Sequence, residues 1–73
     1  MPSIDTDLGD NVRAAMAHRR AKQSDLAAAL RISQPAVSAR LAGKTPFTVA
    51  ELAAVAAYLN VPVLDLLGES VAS

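Results

Sequence analysis

The spacing of the apolar residues constrains this chain most: they recur at intervals of three and four from end to end, and no window alternates as a half-buried strand would. Such a pattern buries one side of a helix and nothing else. Hydrophobic residues make up 52% of the chain, but sixteen of them are alanine, the best helix former and the poorest in buried area. Five short helices fit between clear stops. The first opens near Asp7, with Leu8, Val12, Ala15 and Met16 on one face and Arg13, Arg19 and Arg20 on its polar side. The second runs from about Gln23 to Leu30 and buries Leu26, Ala27 and Leu30. Ser33 is a good N-cap and Pro35 suits a first turn, so a third should run from Gln34 to about Ala42 and stop at Gly43. Lys44 to Phe47 is a loop, with Phe47 plugging the core beneath it. Thr48-Val49-Ala50-Glu51 is a capping box, the firmest boundary in the chain. Helix four then turns Leu52, Val55, Ala56 and Leu59 inward and stops at Asn60. Pro62 starts a last helix, Val63 to Leu67, ended by Gly68. The expected fold is all-α, a compact five-helix bundle: one domain over 1–73, its core over about 7–68, with 1–6 and 69–73 frayed.

Much chemistry is excluded. Without cysteine there is no disulfide framework, zinc-thiolate cluster or thiol nucleophile, and His18, the single imidazole, reads as a surface residue. No metal site, cofactor or small-molecule ligand is expected. No Ser/His/Asp set or glycine-rich phosphate loop is present, and so small a bundle lacks volume for a water-excluding pocket, so the chain does not read as an enzyme. The longest apolar run, Leu52 to Leu59, is eight residues and the N-terminus is acidic, which argues against a membrane span or an export signal and for a cytoplasmic protein.

The formal net charge is zero, which taken alone argues against nucleic acid. Its distribution argues the opposite. Residues 1–10 carry Asp5, Asp7 and Asp10 and no base. Residues 11–44 hold all seven bases, Arg13, Arg19, Arg20, Lys22, Arg31, Arg40 and Lys44, against Asp25 alone, whereas residues 45–73 carry only Glu51, Asp65 and Glu69. With a screening length of about 8 Å, a basic face attracts phosphate whatever acids lie elsewhere. Inside that segment lie two short helices joined by a turn, the layout of a helix-turn-helix, whose second helix enters the major groove. Leu26, Ala27 and Leu30 on one helix and Val37 and Leu41 on the other form the packed corner. On the opposite side from Val37 fall Gln34, Pro35, Ser38, Ala39 and Ala42, a small, polar strip suited to a groove.

The residues Gln23-Ser-Asp-Leu26-Ala27, Ile32-Ser33-Gln34-Pro-Ala-Val37-Ser38, Gly43-Lys44 and Leu52-x-x-Val55-Ala56-x-x-Leu59-x-Val61, in that order, resemble the lambda-repressor-like, Cro-type helix-turn-helix domains over about residues 8–68. The resemblance implies a five-helix bundle, a glutamine at the start of helix two that bonds phosphate or bases, base readout from the start of helix three, and commonly a dimer formed near the last helix. Members often carry an arginine late in helix one paired with a glutamate at the end of helix three. Those positions are Met16 and Leu41, an exchange of both partners that predicts apolar contact between them. The family's frequent turn glycines are Arg20 and Arg31, which must take left-handed geometry at a cost of about 1–2 kcal/mol or end their helices differently. Lys22 stands where a Ser or Thr cap is usual, forfeiting about 1 kcal/mol.

Gln34 is the first candidate for base readout, because its amide can donate to and accept from adenine. Ser38 is the second, and Pro35 and Ala39 offer apolar contact. Gln23, Lys22, Lys44, Arg31, Arg20 and Arg40 are candidates for phosphate, although Arg40 flanks the buried stripe and has Glu51 or another carboxylate as an alternative partner. Val63, Leu64, Leu67 and Val71 form a candidate dimer surface, with a heterologous partner site or plain core as the alternatives. The expected partner is a double-stranded DNA operator, bound by a monomer or a homodimer. With no room for a sensor domain, the chain reads as a small Cro-like or immunity-type repressor of phage or prophage origin, a compact bacterial regulator fitting the residues equally. The competing function is a protein-interaction module, an anti-repressor or small scaffold, docking through the apolar C-terminal helix.

Overall fold

The computed structural model describes residues 4–67. Five helices follow in order: α1 (Ile4–His18), α2 (Gln23–Leu30), α3 (Gln34–Leu41), α4 (Val49–Leu59) and α5 (Val63–Leu67). Four of the five match the sequence reading to within a residue. The exception is α1, which begins at Ile4 instead of near Asp7; an acidic stretch is compatible with the positive end of a helix dipole, so Asp5 and Asp7 give no reason to stop there. Packing pairs α3 with α1 and α2, α4 with α2 and less extensively with α1, and α5 with α1 and α4.

The core is shared by every element. Leu8, Val12 and Met16 come from α1, Leu26 and Ala27 from α2, Val37 and Leu41 from α3, Val55, Ala56 and Leu59 from α4, and Leu66 from α5, with Phe47 plugging the α3–α4 loop. Met16 and Leu41 lie in this one cluster, both buried, in keeping with an apolar exchange of both partners. Leu30 and Leu52, expected inside, are half-buried at its margin. Gly9, which the sequence reading passed over, is what lets α1 approach α3: a Cβ there would fall 2.1 Å from the Leu41 carbonyl oxygen.

Four helices end in the same way. After α1, α2, α3 and α4 a residue turns left-handed, Arg20 (φ 57°), Arg31 (φ 59°), Gly43 (φ 79°) and Asn60 (φ 56°). In each case the next N–H closes the six-residue loop of a Schellman motif, Ala21 to Met16, Ile32 to Ala27, Lys44 to Ala39 and Val61 to Ala56, at 2.8–3.0 Å. Arg20 and Arg31 therefore take the strained of the two alternatives the sequence left open. At the other ends, Ser33 Oγ accepts from Ala36 N–H at 3.2 Å, and Thr48 Oγ1 accepts from Glu51 N–H at 3.0 Å while Glu51 Oε1 accepts from Thr48 N–H at 2.9 Å. An ammonium has no lone pair, so Lys22 cannot accept; α2 keeps half a cap, Lys22 N–H donating to Asp25 Oδ2 at 3.1 Å. Two longer ties close the bundle. Asn11 Nδ2 donates to the Leu66 carbonyl at 2.9 Å, fixing the short α5, and Arg19 Nη2 donates to the Asn60 carbonyl at 3.2 Å, placing a cation at the negative end of α4.

Candidate nucleic-acid interface

The candidate interface is assembled on α2, its turn and α3. Leu26 and Ala27 are buried on α2, Val37 and Leu41 on α3, so both helices press one apolar face inward and leave the other free. The turn between them holds three residues, Arg31, Ile32 and Ser33. Arg31 is left-handed and exposed, Ile32 half-buried against the core, and Ser33 the α3 cap.

With the buried side of α3 occupied by Val37 and Leu41, the outer side presents Gln34, Pro35, Ser38 and Ala42, all exposed, with Ala39 half-buried beside them. These side chains are short apart from the glutamine, so the helix backbone can sit deep in a groove while the Gln34 amide reaches furthest. Apart from Arg40, the candidate phosphate holders are all exposed: the cation Lys22 and the neutral amide Gln23 at the start of α2, and the cations Arg31 in the turn, Lys44 in the loop after α3 and Arg20 before α2. The α2 start also offers peptide N–H groups and the positive end of a helix dipole.

Arg40 is placed differently from those cations. Its Nε donates to Glu51 Oε1 at 3.0 Å and its Nη1 to the Ala36 carbonyl at 3.1 Å, and both side chains of the pair are only 16% exposed. Of its two alternatives it takes the carboxylate, and is no free surface cation. The Glu51 carboxyl is held below its ordinary value, first by the Arg40 hydrogen bond and then, against some opposition from burial, by the Thr48 N–H and the Arg40 charge.

The residues that sequence reasoning missed are architectural: Gly9, Asn11 and Arg19. A lone glycine inside a helical pattern was the available signal for the first; the partners of the other two lie 55 and 41 residues away and left no local mark. On α5, Leu64 is 73% and Val63 39% exposed, while Leu67 is half-buried against the core. Val71, the fourth member of the candidate dimer surface, lies outside the described residues. Among the described residues no cluster of His, Cys, Asp or Glu could hold a metal ion, and no helix is long and apolar enough to cross a membrane.

A helix-turn-helix family model matches residues 12–66. Two crystal structures of the clp gene regulator ClgR from Corynebacterium glutamicum are similar in fold at 28% identity, one with a TM-score of 0.89 over 97% of this chain and 76% of that one, the other with 0.87 over 99% and 94%. No curated relative is matched. A family match that spans most of the chain, over helices that build the turn described above, means that the chain belongs to the lambda-repressor-like helix-turn-helix family of DNA-binding transcription regulators.

Proposed function

We propose that the protein is a sequence-specific regulator that lays α3 in the major groove of a double-stranded operator. Gln34 reads an adenine, Ser38 is the second reader, and Pro35 and Ala39 make apolar contact with a thymine methyl. Gln23, Lys22, Lys44, Arg31 and Arg20 hold the phosphates on either side. One observation supports this above the rest: the exposed strip of α3 lies within the segment that holds all seven bases, and its buried face leaves only that strip for a ligand. Acidic residues before and after that segment weaken non-specific retention, so useful occupancy calls for paired subunits or closely spaced sites.

Regulation by such a domain is read as repression, by occupying an operator. Of the two settings the sequence allows, phage immunity and bacterial control, the likeness to ClgR, a clp gene regulator, favours the bacterial one. The test is selection of sites from random duplex DNA with the stoichiometry of the complex measured. Dyad-symmetric sites indicate a dimer and single half-sites a monomer; recovery of no preferred sequence overturns the reading.

A second reading rests on α5. Leu64 and Val63 expose more apolar surface than a terminal helix needs, which fits docking to a protein. Salt-indifferent capture of a partner, lost on Leu64→Asp and unaccompanied by duplex binding, would favour it.

A further inference from the structure

The helix that presents Gln34 and Ser38 must be held at one rotation about its axis. Its buried apolar face sets which side looks outward, and a directional polar bond can fix the angle more sharply than non-directional burial does. On the sides facing α1 and α2, α3 is held by Val37 and Leu41 among other hydrophobes. The α3 and α4 backbones approach each other closely at few points, although their apolar side chains share one core. The polar tie between these two helices is the Arg40–Glu51 pair, the one ion pair among the described residues.

Its geometry is that of a lever. At about 100° per residue, Arg40 leaves α3 roughly 160° round the axis from both Ser38 and Ala42, so it grips the helix from behind the exposed strip. One end of the guanidinium is fixed to its own helix through the Ala36 carbonyl at 3.1 Å, the other to Glu51 Oε1 at 3.0 Å. The same Oε1 accepts the Thr48 N–H at 2.9 Å, and Thr48 Oγ1 closes the reciprocal bond to Glu51 N–H at 3.0 Å. One carboxylate oxygen thus couples the back of α3 to the first turn of α4. With Met16 and Leu41 both apolar, no charge pair ties α3 to α1 at those positions.

We infer that Glu51 is a positioning residue for DNA readout: by gripping Arg40 from the α4 cap it sets the rotation of α3, and so the direction in which Gln34 and Ser38 meet base edges. The inference rests on the DNA-reading function proposed above, and a wild-type protein that shows no preference for any duplex sinks that function before Glu51 is in question.

The experiment compares affinity for a selected site with affinity for random duplex at fixed salt, each protein being confirmed folded by circular dichroism. Glu51→Ala removes the grip and half the cap; Thr48→Ala damages the same cap and leaves the grip. Glu51→Ala is expected to lower the ratio of specific to random affinity by about tenfold, whereas Thr48→Ala leaves the ratio within about twofold. Arg40→Met should lose as much discrimination as Glu51→Ala, and the double variant no more than either, because the two act as one unit. Should Glu51→Ala fail to fold, Glu51→Gln, which keeps an acceptor for Thr48 N–H and loses the charge, is expected to lose about threefold. Equal ratios for Glu51→Ala and Thr48→Ala overturn the proposal. So does Arg40→Met weakening both duplexes alike with the salt slope reduced by about 1, the signature of a direct phosphate contact.

Discussion

The backbone of Gly9 lies so close against Leu41 that a Cβ on the glycine would fall 2.1 Å from the Leu41 carbonyl oxygen and 2.8 Å from its carbonyl carbon. The neighbour is backbone at the end of α3 and cannot rotate away. Helix propensity alone would favour alanine over glycine by about 1 kcal/mol, but the overlap forces α1 and α3 apart and costs about 1–3 kcal/mol or more. Gly9→Ala is expected to destabilise the domain on balance, read as a lower urea midpoint with an unchanged slope. A raised midpoint would show that α1 does not cross α3 this closely.

Arg20 and Arg31 hold left-handed backbone at φ 57° and 59° with a full side chain. Glycine relieves about 1 kcal/mol at such a position, which in a domain of this size raises the melting temperature by roughly 4–8 °C. Each replacement also deletes a cation beside the candidate interface. Arg31→Gly and Arg20→Gly should therefore melt higher and bind random duplex more weakly, with the salt slope shallower by about 1 for each phosphate no longer neutralised. Asn60→Gly, at φ 56° on the end of α4, is the control: a smaller gain in stability, since asparagine tolerates the conformation, and no change in DNA affinity.

The pair of Glu51 and Arg40 makes stability depend on acid. Because the folded protein holds the Glu51 carboxyl below its ordinary 4.5, its contribution is fully present above that value. It is lost as pH falls through the lower, folded-state value, where the native carboxylate finally takes up a proton. Urea midpoints measured from neutrality downward should begin to fall near pH 4.5 and keep falling below it. In Arg40→Met the largest cause of the shift is gone, so the part of that fall due to Glu51 should shrink. An identical acid limb in the two proteins would mean that Arg40 does not hold the carboxylate in solution.

Local signals told most of this fold. Ser33, Thr48 with Glu51, Gly43 and Asn60 act through bonds within a few residues of themselves, and the structure places each as its spacing implied. The buried corner of α2 and α3 was equally legible, because Leu26, Ala27, Val37 and Leu41 repeat at helical intervals. What the sequence hid depends on where two helices meet. Gly9 matters only because the end of α3 passes over it, and Arg19 reaches a carbonyl 41 residues away. Arg40 had two candidate roles until α4 brought Glu51 within 3.0 Å. Arg20 and Arg31 were ambiguous for another reason: local preference disfavours a left-handed arginine, and the Schellman bonds after α1 and α2 override it.

In the proposed function Gln34 reads and Lys44 holds, so the two can be told apart by experiment. Both are exposed, one at the first position of α3 and the other in the loop beyond it. An amide that pairs with adenine contributes only where the adenine is present, so Gln34→Ala should cost about 1–3 kcal/mol on the selected site and little on random duplex. A lysine on phosphate is blind to sequence, so Lys44→Ala should weaken both alike. With roughly four to six phosphates neutralised per subunit, the log–log salt slope should lie near −4 to −5 for a monomer and about twice that for a dimer. Lys44→Ala should lift it by about 1 and Gln34→Ala should leave it unmoved. The reverse assignment of the two effects would exchange their roles, and a wild-type slope near zero would remove DNA as the partner, because no arrangement of these cations on phosphate escapes the release of counterions.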